Sequence, residues 1–144
     1  MQTQPIIDHI VRWLADYLEQ SGLTGFVVGV SGGVDSAVTS TLCALTGAPV
    51  KALNMPIHQA PDQVSRSASH IAWLTDHYPN AEGILVDLTP VLESLQRALP
   101  RDIQDDLSMA NSRSRLRMVT LYSVATHHRM LVAGTGNKVE DFGV

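Results

Sequence analysis

The sequence predicts an α/β fold in which a doubly wound parallel sheet has helices on both faces. Short apolar runs rich in β-branched residues alternate along the chain with longer segments of helical periodicity. This alternation is typical of parallel strands joined by right-handed helical crossovers. The run from Phe26 to Val30 contains no polar side chain, as expected for a strand that is buried on both faces. With 144 residues the chain is long enough to bury a core, and we assign residues 1–144 to a single domain.

The predicted elements follow one another in a regular order. Apolar residues at helical spacing predict an amphipathic first helix over residues 6–18, and the first strand covers 26–30. The later strands are predicted at 50–55, 83–86 and 130–133, and the later helices at 34–45, 65–76, 91–99 and 110–128. Residues 100–109, PRDIQDDLSM, are polar and turn-prone and predict a loop.

The C-terminal end of the sequence is unusual for this fold class. A doubly wound sheet normally continues after its fourth strand with another helix and strand. Here the fourth predicted strand is followed by a glycine-rich loop, and the sequence ends shortly afterwards at Val144. We therefore expect the domain to be incomplete at its C-terminal end.

Composition disfavours several classes of function. The net charge of −4 gives no basic face for nucleic acid, and no apolar run approaches the roughly 20 residues of a membrane span. The N-terminal segment lacks the basic region of a signal peptide, and the single cysteine, Cys43, fits a reducing compartment. We expect a cytoplasmic protein whose partners include neither nucleic acid nor a membrane.

The segment GVSGGVDSA, residues 29–37, joins the first predicted strand to the helix that follows it. Two common phosphate motifs do not fit, because no lysine follows as in a P-loop and the glycine spacing is not that of a dinucleotide fingerprint. Successive N–H groups from Ser31 to Ser36 can still point at one site, where the helix N-terminus and both serine hydroxyls favour an anion. The segment therefore predicts an anion-binding loop.

Asp35 lies within this loop, where its carboxylate would repel a bound polyphosphate. A divalent cation between them removes the repulsion, because Mg²⁺ commonly bridges one or two carboxylates and substrate phosphates. In the alternative interpretation, Asp35 and Ser36 only cap the helix and the glycines serve tight packing. A cap alone requires neither two adjacent glycines nor two serines, so we favour a metal-assisted phosphate site.

Three segments together carry a family resemblance. The hexapeptide SGGVDS (31–36) resembles the pyrophosphate-binding loop of the N-type ATP pyrophosphatases, which activate a carbonyl oxygen by adenylation. ANSRSRLRMVTLY (110–122) and VAGTGNKVEDFG (132–143) resemble the corresponding motifs of ammonia-dependent NAD synthetase. The resemblance implies a Rossmann-like, adenine nucleotide alpha hydrolase-like fold, with ATP as cosubstrate and Mg²⁺ as cofactor.

The resemblance also assigns individual residues. Arg115 is expected to contact the substrate deamido-NAD, because a guanidinium suits phosphate or carboxylate oxygens. Asp35 and Glu140 are expected to hold the metal, since strands one and four should be neighbours; a solvated surface position is the alternative for Glu140. Arg113 and Arg117 share the helix face opposite Arg115 and are expected to be ordinary surface or interface cations. The expected ATP-binding residues are Gly29, Val30, Ser31, Gly32, Gly33, Val34, Asp35, Ser36 and Thr135.

The implied reaction is the ATP-dependent amidation of deamido-NAD (nicotinic acid adenine dinucleotide) to NAD with ammonia. It would run through an acyl-adenylate and release AMP and pyrophosphate, with positioning and the metal in place of any catalytic side chain. Ammonia would come free or from a separate glutaminase, because the only cysteine lies inside a predicted helix. The family implies a homodimer, with the first helix and the helix at 110–128 at its interface.

Two other functions stay open from the sequence. One is another ATP pyrophosphatase of the same fold, such as a GMP synthetase ATPase subunit. The other is a non-catalytic adenine-nucleotide-binding fragment, because a chain that ends at Val144 would lack part of the family's site. For such a chain we expect weak nucleotide binding and little or no catalysis.

Overall fold

Four strands form one parallel sheet in the computed structural model, which describes residues 3–59 and 61–137. The strands are β1 (Phe26–Gly29), β2 (Val50–Asn54), β3 (Ala81–Leu85) and β4 (Leu131–Ala133). They lie in the order β3-β2-β1-β4, with Phe26 paired to Val50 on one side and to Leu131 on the other. The chain thus builds outward from β1 to β3 and then returns to the opposite side of β1, which creates a topological switch point between β1 and β4.

Within the described ranges, five α-helices cover the two faces of this sheet. They are α1 (Thr3–Ser21), α2 (Val34–Leu45), α3 (Pro61–His77), α4 (Thr89–Ala98) and α5 (Asp106–His128), with a short 3-10 turn at Arg101–Ile103. Side chains alternate along β1, so that Phe26 and Val28 pack on the α1–α3 side while Val27 packs on the α4–α5 side. The predicted doubly wound α/β fold is therefore confirmed.

The apolar core explains why the strands follow the hydrophobic pattern closely. Phe26, Val27 and Val28 are at most 2% exposed, as a strand covered by helices on both faces requires. Cys43 lies in the core on α2, where burial raises the pKa of its thiol to about 12. Among the described residues, no helix is both long enough and apolar enough to cross a bilayer.

Four of the five helices begin earlier than the sequence pattern predicts, and the difference is largest for α3 and α5. Helix α3 begins at Pro61 rather than residue 65, and α5 begins at Asp106 rather than residue 110. The predicted loop at 100–109 is wrong over most of its length, because it contains the 3-10 turn and the first turn of α5. Asp105 starts α5 by accepting hydrogen bonds from the N–H groups of Leu107 and Ser108, both at 3.0 Å.

Candidate functional site

The switch point brings two loops together at the carboxyl edge of the sheet. Residues 30–33 leave β1 and residues 134–137 leave β4, and the two strands are direct neighbours with Val28 paired to Ala133. The side-chain amide of Asn137 donates to an Oδ of Asp35 at 3.4 Å, which joins the two loops. The predicted adjacency of strands one and four is confirmed, and it places both glycine-containing motifs at the usual ligand-binding position of an open α/β sheet.

The loop from Ser31 to Ser36 is held in shape by its own hydrogen bonds. Ser36 is 2% exposed; its hydroxyl accepts from the N–H of Ser31 at 3.1 Å and donates to the carbonyl oxygen of Gly33 at 3.0 Å. The Ser31 hydroxyl accepts in turn from the N–H of Gly33 at 3.3 Å. Gly32 has a φ of +85°, a left-handed conformation that disfavours residues with a Cβ. The loop is therefore pre-organised.

These contacts revise the prediction for the serines and glycines. The hydroxyl of Ser36 is committed within the loop, so it shapes the site instead of donating to a ligand. The N–H groups of Ser31 and Gly33 are likewise occupied. Within residues 3–59 and 61–137, four other N–H groups of the segment have no protein acceptor: those of Gly32, Val34, Asp35 and Ser36. A cluster of free N–H groups at a helix N-terminus favours an anion.

The alternative in which Asp35 and Ser36 only cap α2 does not fit these contacts. The N-cap of α2 is Gly33, and no side chain supplies a capping hydrogen bond to this helix. Asp35 instead extends from the first turn as an exposed carboxylate beside Asn137. Its side chain is thus available to a ligand or a cation.

The predicted metal site is only partly described. No cluster of three or more His, Cys, Asp or Glu side chains within the described ranges could hold a metal ion. Glu140, the second carboxylate expected from the resemblance, lies outside the described residues. Asp35 remains as an accessible carboxylate next to the free N–H groups, and carboxylate with phosphate oxygens is the donor set that suits Mg²⁺.

A cavity of about 200 Å³ lies beside this loop at the end of β1. Its lining residues are Gly29, Val30, Ser31, Met55, Gln59, Arg117, Leu121 and Thr135. A Cβ at Gly29 would come within 3.2 Å of Cε of Met55 and 3.5 Å of Cδ1 of Leu121. The absence of a side chain at Gly29 therefore lets β2 and α5 close around the floor of the cavity.

Arg117 is the main correction to the predicted site. The sequence prediction of a surface or interface cation is wrong, because Arg117 is half-buried and its Nε–H donates to the carbonyl oxygen of Met55 at 3.1 Å. Burial, and to a lesser extent the nearby Arg113, lowers the pKa of Arg117 below its ordinary value. Arg115, by contrast, lies on the exposed side of α5 and does not line the cavity.

The helical spacing of apolar residues in α5 could have indicated that Arg117 is partly buried. Leu121 and Ala125 follow it at intervals of one helical turn, and both pack into the core beneath the sheet. Extending that stripe backwards by one turn reaches Arg117. Gln59, which follows β2 and lines the same cavity, carries no comparable signal because it lies in a loop with no periodicity.

Comparison with known proteins assigns the chain to a family. The sequence model of the NAD synthase family matches residues 6–142. An NH(3)-dependent NAD(+) synthetase of Mannheimia succiniciproducens is 35% identical over 148 aligned residues, covering 97% of this chain and 57% of the relative. The chain thus spans somewhat more than half the length of that relative.

Two solved structures are similar over nearly the whole chain. NMN synthetase from Francisella tularensis matches with a TM-score of 0.87 and 30% identity, covering 97% of this chain and 57% of that one. An NH3-dependent NAD synthetase from Campylobacter jejuni, in complex with nitrate, matches with a TM-score of 0.86 and 28% identity over 97% and 59%. Sequence match and fold agree, and the chain belongs to the NAD synthase family.

Proposed function

We propose that this chain forms the ATP-binding part of an ammonia-dependent NAD synthetase. The reaction would amidate deamido-NAD to NAD with ammonia and ATP, through an acyl-adenylate, with release of AMP and pyrophosphate. The observation that carries the proposal is the set of free N–H groups at Gly32 and Val34–Ser36, next to the exposed carboxylate of Asp35. Family membership supports the substrate class.

In this proposal the polyphosphate of ATP rests on the loop from Ser31 to Ser36. The free N–H groups and the N-terminus of α2 would stabilise its charge, and Thr135 would add a hydroxyl from the loop after β4. The adenine would lie near Val30 and Met55, both 5% exposed or less at the carboxyl edge of the sheet. Asp35 and Glu140 would hold Mg²⁺, which when bound neutralises charge on the phosphates.

The chemistry requires positioning more than a reactive side chain. A carboxylate oxygen of the nicotinate ring forms a bond to the α-phosphorus of ATP while the bond to pyrophosphate breaks. Ammonia then forms a bond to the acyl carbon, AMP leaves with the electron pair of the broken C–O bond, and the nitrogen loses one proton to solvent. The residues of this chain would hold the phosphates in line, and Arg115 would contact the dinucleotide from the exposed side of α5.

A second candidate substrate follows from one of the structural neighbours. The Francisella tularensis protein is an NMN synthetase, and its similarity to this chain is as close as that of the Campylobacter jejuni NAD synthetase. The acceptor could thus be the mononucleotide with the same carboxylate. Both acceptors offer one nicotinate carboxylate to the same α-phosphorus, so the site chemistry is shared and only the contacts to the adenylate half of the dinucleotide differ.

A homodimer is also part of the proposal. Trp13 and Tyr17 on α1 and Tyr122 on α5 line a groove of about 780 Å³ along the β4 edge of the sheet, and each of the three is more than half exposed. Large exposed aromatic patches are typical of protein interfaces. These two helices are the ones that the sequence assigns to the interface.

The activity can be tested on the purified chain with ATP, Mg²⁺ and ammonium. Separate reactions would contain deamido-NAD, nicotinic acid mononucleotide or xanthosine monophosphate, and the release of AMP and pyrophosphate would be measured. We expect little AMP from a chain that ends at Val144, and we expect its release to require deamido-NAD and not to occur with xanthosine monophosphate. AMP formed only with xanthosine monophosphate would refute the proposal in favour of a GMP synthetase subunit, and AMP formed only with the mononucleotide would favour the second substrate.

ATP binding is measured separately by calorimetry, because binding without turnover would indicate a nucleotide-binding module. Asp35→Asn is the informative variant, since it keeps the size of the side chain and removes its charge. We expect it to weaken binding of ATP in the presence of Mg²⁺ and to leave binding of adenosine unchanged.

A further inference from the structure

Arg117 is a half-buried cation whose position in the fold is fixed. Its Nε–H donates to the carbonyl oxygen of Met55, the residue that directly follows β2. Met55 packs against Gly29, and Leu121 packs there from one turn further along α5. The Nε–H bond thus anchors the guanidinium to the wall of the cavity. This contact does not use the terminal NH₂ groups of the side chain.

The charge of Arg117 has no counter-charge among the residues that the structure describes. Within residues 3–59 and 61–137 no carboxylate forms an ion pair with it, and the charged group that most affects its pKa is Arg113, which also bears a positive charge. Removing a cation from water without a partner is unfavourable. A neutral donor could satisfy the Met55 carbonyl equally well, so the hydrogen bond alone does not account for an arginine at this position.

The surroundings of Arg117 indicate what compensates the charge. It lines the same cavity as Ser31 and Thr135, which belong to the two loops of the switch point, and this cavity adjoins the free N–H groups of the phosphate loop. A guanidinium is suited to bind phosphate oxygens because its planar N–H groups can contact two of them at once.

We propose that Arg117 binds a phosphate oxygen of the nucleotide that occupies this cavity, with its Nε–H bond to Met55 holding the guanidinium in place. This inference rests on the proposed function for the identity of the nucleotide. The phosphate has two sources, the triphosphate of ATP and the pyrophosphate of the dinucleotide substrate, and the two are separated by measuring each ligand alone.

The test compares Arg117→Gln with Arg113→Gln, which removes the same charge one helical turn away outside the cavity. Calorimetry would measure binding of ATP with Mg²⁺, deamido-NAD and adenosine to each variant, after thermal melting has confirmed that it is folded. For Arg117→Gln we expect affinity for at least one phosphate ligand to fall about tenfold or more, and affinity for adenosine to change less than about twofold. Arg113→Gln should bind all three ligands like the wild type.

Loss of ATP affinity alone assigns the contact to the triphosphate, and loss of deamido-NAD affinity alone assigns it to the dinucleotide. Arg117→Lys should recover part of the loss, because it restores the charge without the planar geometry. Should the Gln variant fail to fold, Arg117→Met keeps the aliphatic stem and removes the charge, and the same losses are expected.

Two results would overturn the inference. Equal losses for adenosine and for the phosphate ligands would mean that Arg117 only supports the Met55 segment, and unchanged affinities for all ligands would mean that it has no role in binding. Both results leave the proposed function standing, because the wild type still binds. A wild-type chain that binds no phosphate ligand overturns both inferences together, so the two failures are distinguishable.

Discussion

Gly32 shows at the scale of one residue why the phosphate loop needs its glycines. Its φ of +85° lies in the left-handed region, and the neighbouring N–H groups of Val34, Asp35 and Ser36 depend on this turn for their common direction. A Cβ at this position would be strained by about 1–2 kcal/mol. If the substituted residue changed its φ to relieve this strain, the neighbouring N–H groups would no longer point in a common direction.

We therefore expect Gly32→Ala to lose about 1 kcal/mol or more of unfolding free energy and to weaken ATP binding at least several-fold. Gly47→Ala is the matched control, because Gly47 has a φ of +79° at the other end of the same helix α2, far from the loop. It should lose similar stability and keep its ATP affinity. Urea unfolding and calorimetry measure the two effects. If both variants lost ATP affinity equally, the loop geometry would not be the cause.

The sequence predicted some site residues and not others for a physical reason. The backbone cradle and the exposed carboxylate of Asp35 follow from local composition, because glycines and a strand–helix boundary determine them. The internal use of the Ser36 hydroxyl and the burial of Arg117 depend on which neighbour fills each position. The neighbour of Ser36 is Gly33 in the same loop, and the neighbour of Arg117 is Met55, which follows β2. The spacing of residues along the chain does not identify either contact.

At the scale of the element, α5 depends on its first turn. The carboxylate of Asp105 accepts from the hydroxyl of Ser108 at 2.6 Å and from the N–H groups of Ser108 and Leu107. These bonds hold the pKa of Asp105 below its ordinary value of 3.8, and the bond from the Ser108 hydroxyl contributes most to this lowering. A group with a lowered pKa in the folded state stabilises the fold above its unfolded pKa, and this stabilisation is lost as the pH falls through the folded value.

Asp105→Ala should therefore lower the urea midpoint at neutral pH, and the difference from wild type should shrink below about pH 4. Asp106→Ala is the control, because Asp106 is the adjacent carboxylate and accepts no hydrogen bond within the described part of the chain. It should cause a smaller loss at neutral pH. A difference between Asp105→Ala and wild type that stays constant from about pH 7 to pH 2 would contradict a contribution from the ionised form.

The elements themselves were largely predictable, and the largest errors lie at the starts of α3 and α5. Strands β1 and β2 match the apolar runs because nearly every residue in them is buried. Asp62 in the first turn of α3 and Asp106 and Leu107 in the first turn of α5 are exposed, so hydrophobic periodicity is weak where these two helices start. They begin where Pro61 and Asp105 supply a helix start, which is a capping signal and not a packing signal.

At the scale of the whole molecule, the exposed aromatic residues are concentrated on one side. Helices α1 and α5 flank β4, the edge strand of the sheet, and the groove between them contains Trp13, Tyr17 and Tyr122. The rings of Trp13 and Tyr17 already contact each other, with centroids 5.5 Å apart. A preformed aromatic pair loses little side-chain freedom on association, which favours its use at an interface.

If this groove is the dimer interface, Trp13→Glu should weaken the dimer, because it places a charge where a ring is buried. A central interface tryptophan contributes about 2 kcal/mol or more, so the dissociation constant should rise about 30-fold or more. Trp73→Glu is the control, because Trp73 is also exposed but lies on α3, outside this groove. Light scattering over a range of concentrations should give the wild type and Trp73→Glu twice the chain mass of 15.6 kDa, and Trp13→Glu a mass close to one chain. A wild type that stays at the mass of one chain, or a Trp13→Glu variant as dimeric as the wild type, would exclude this surface as the interface.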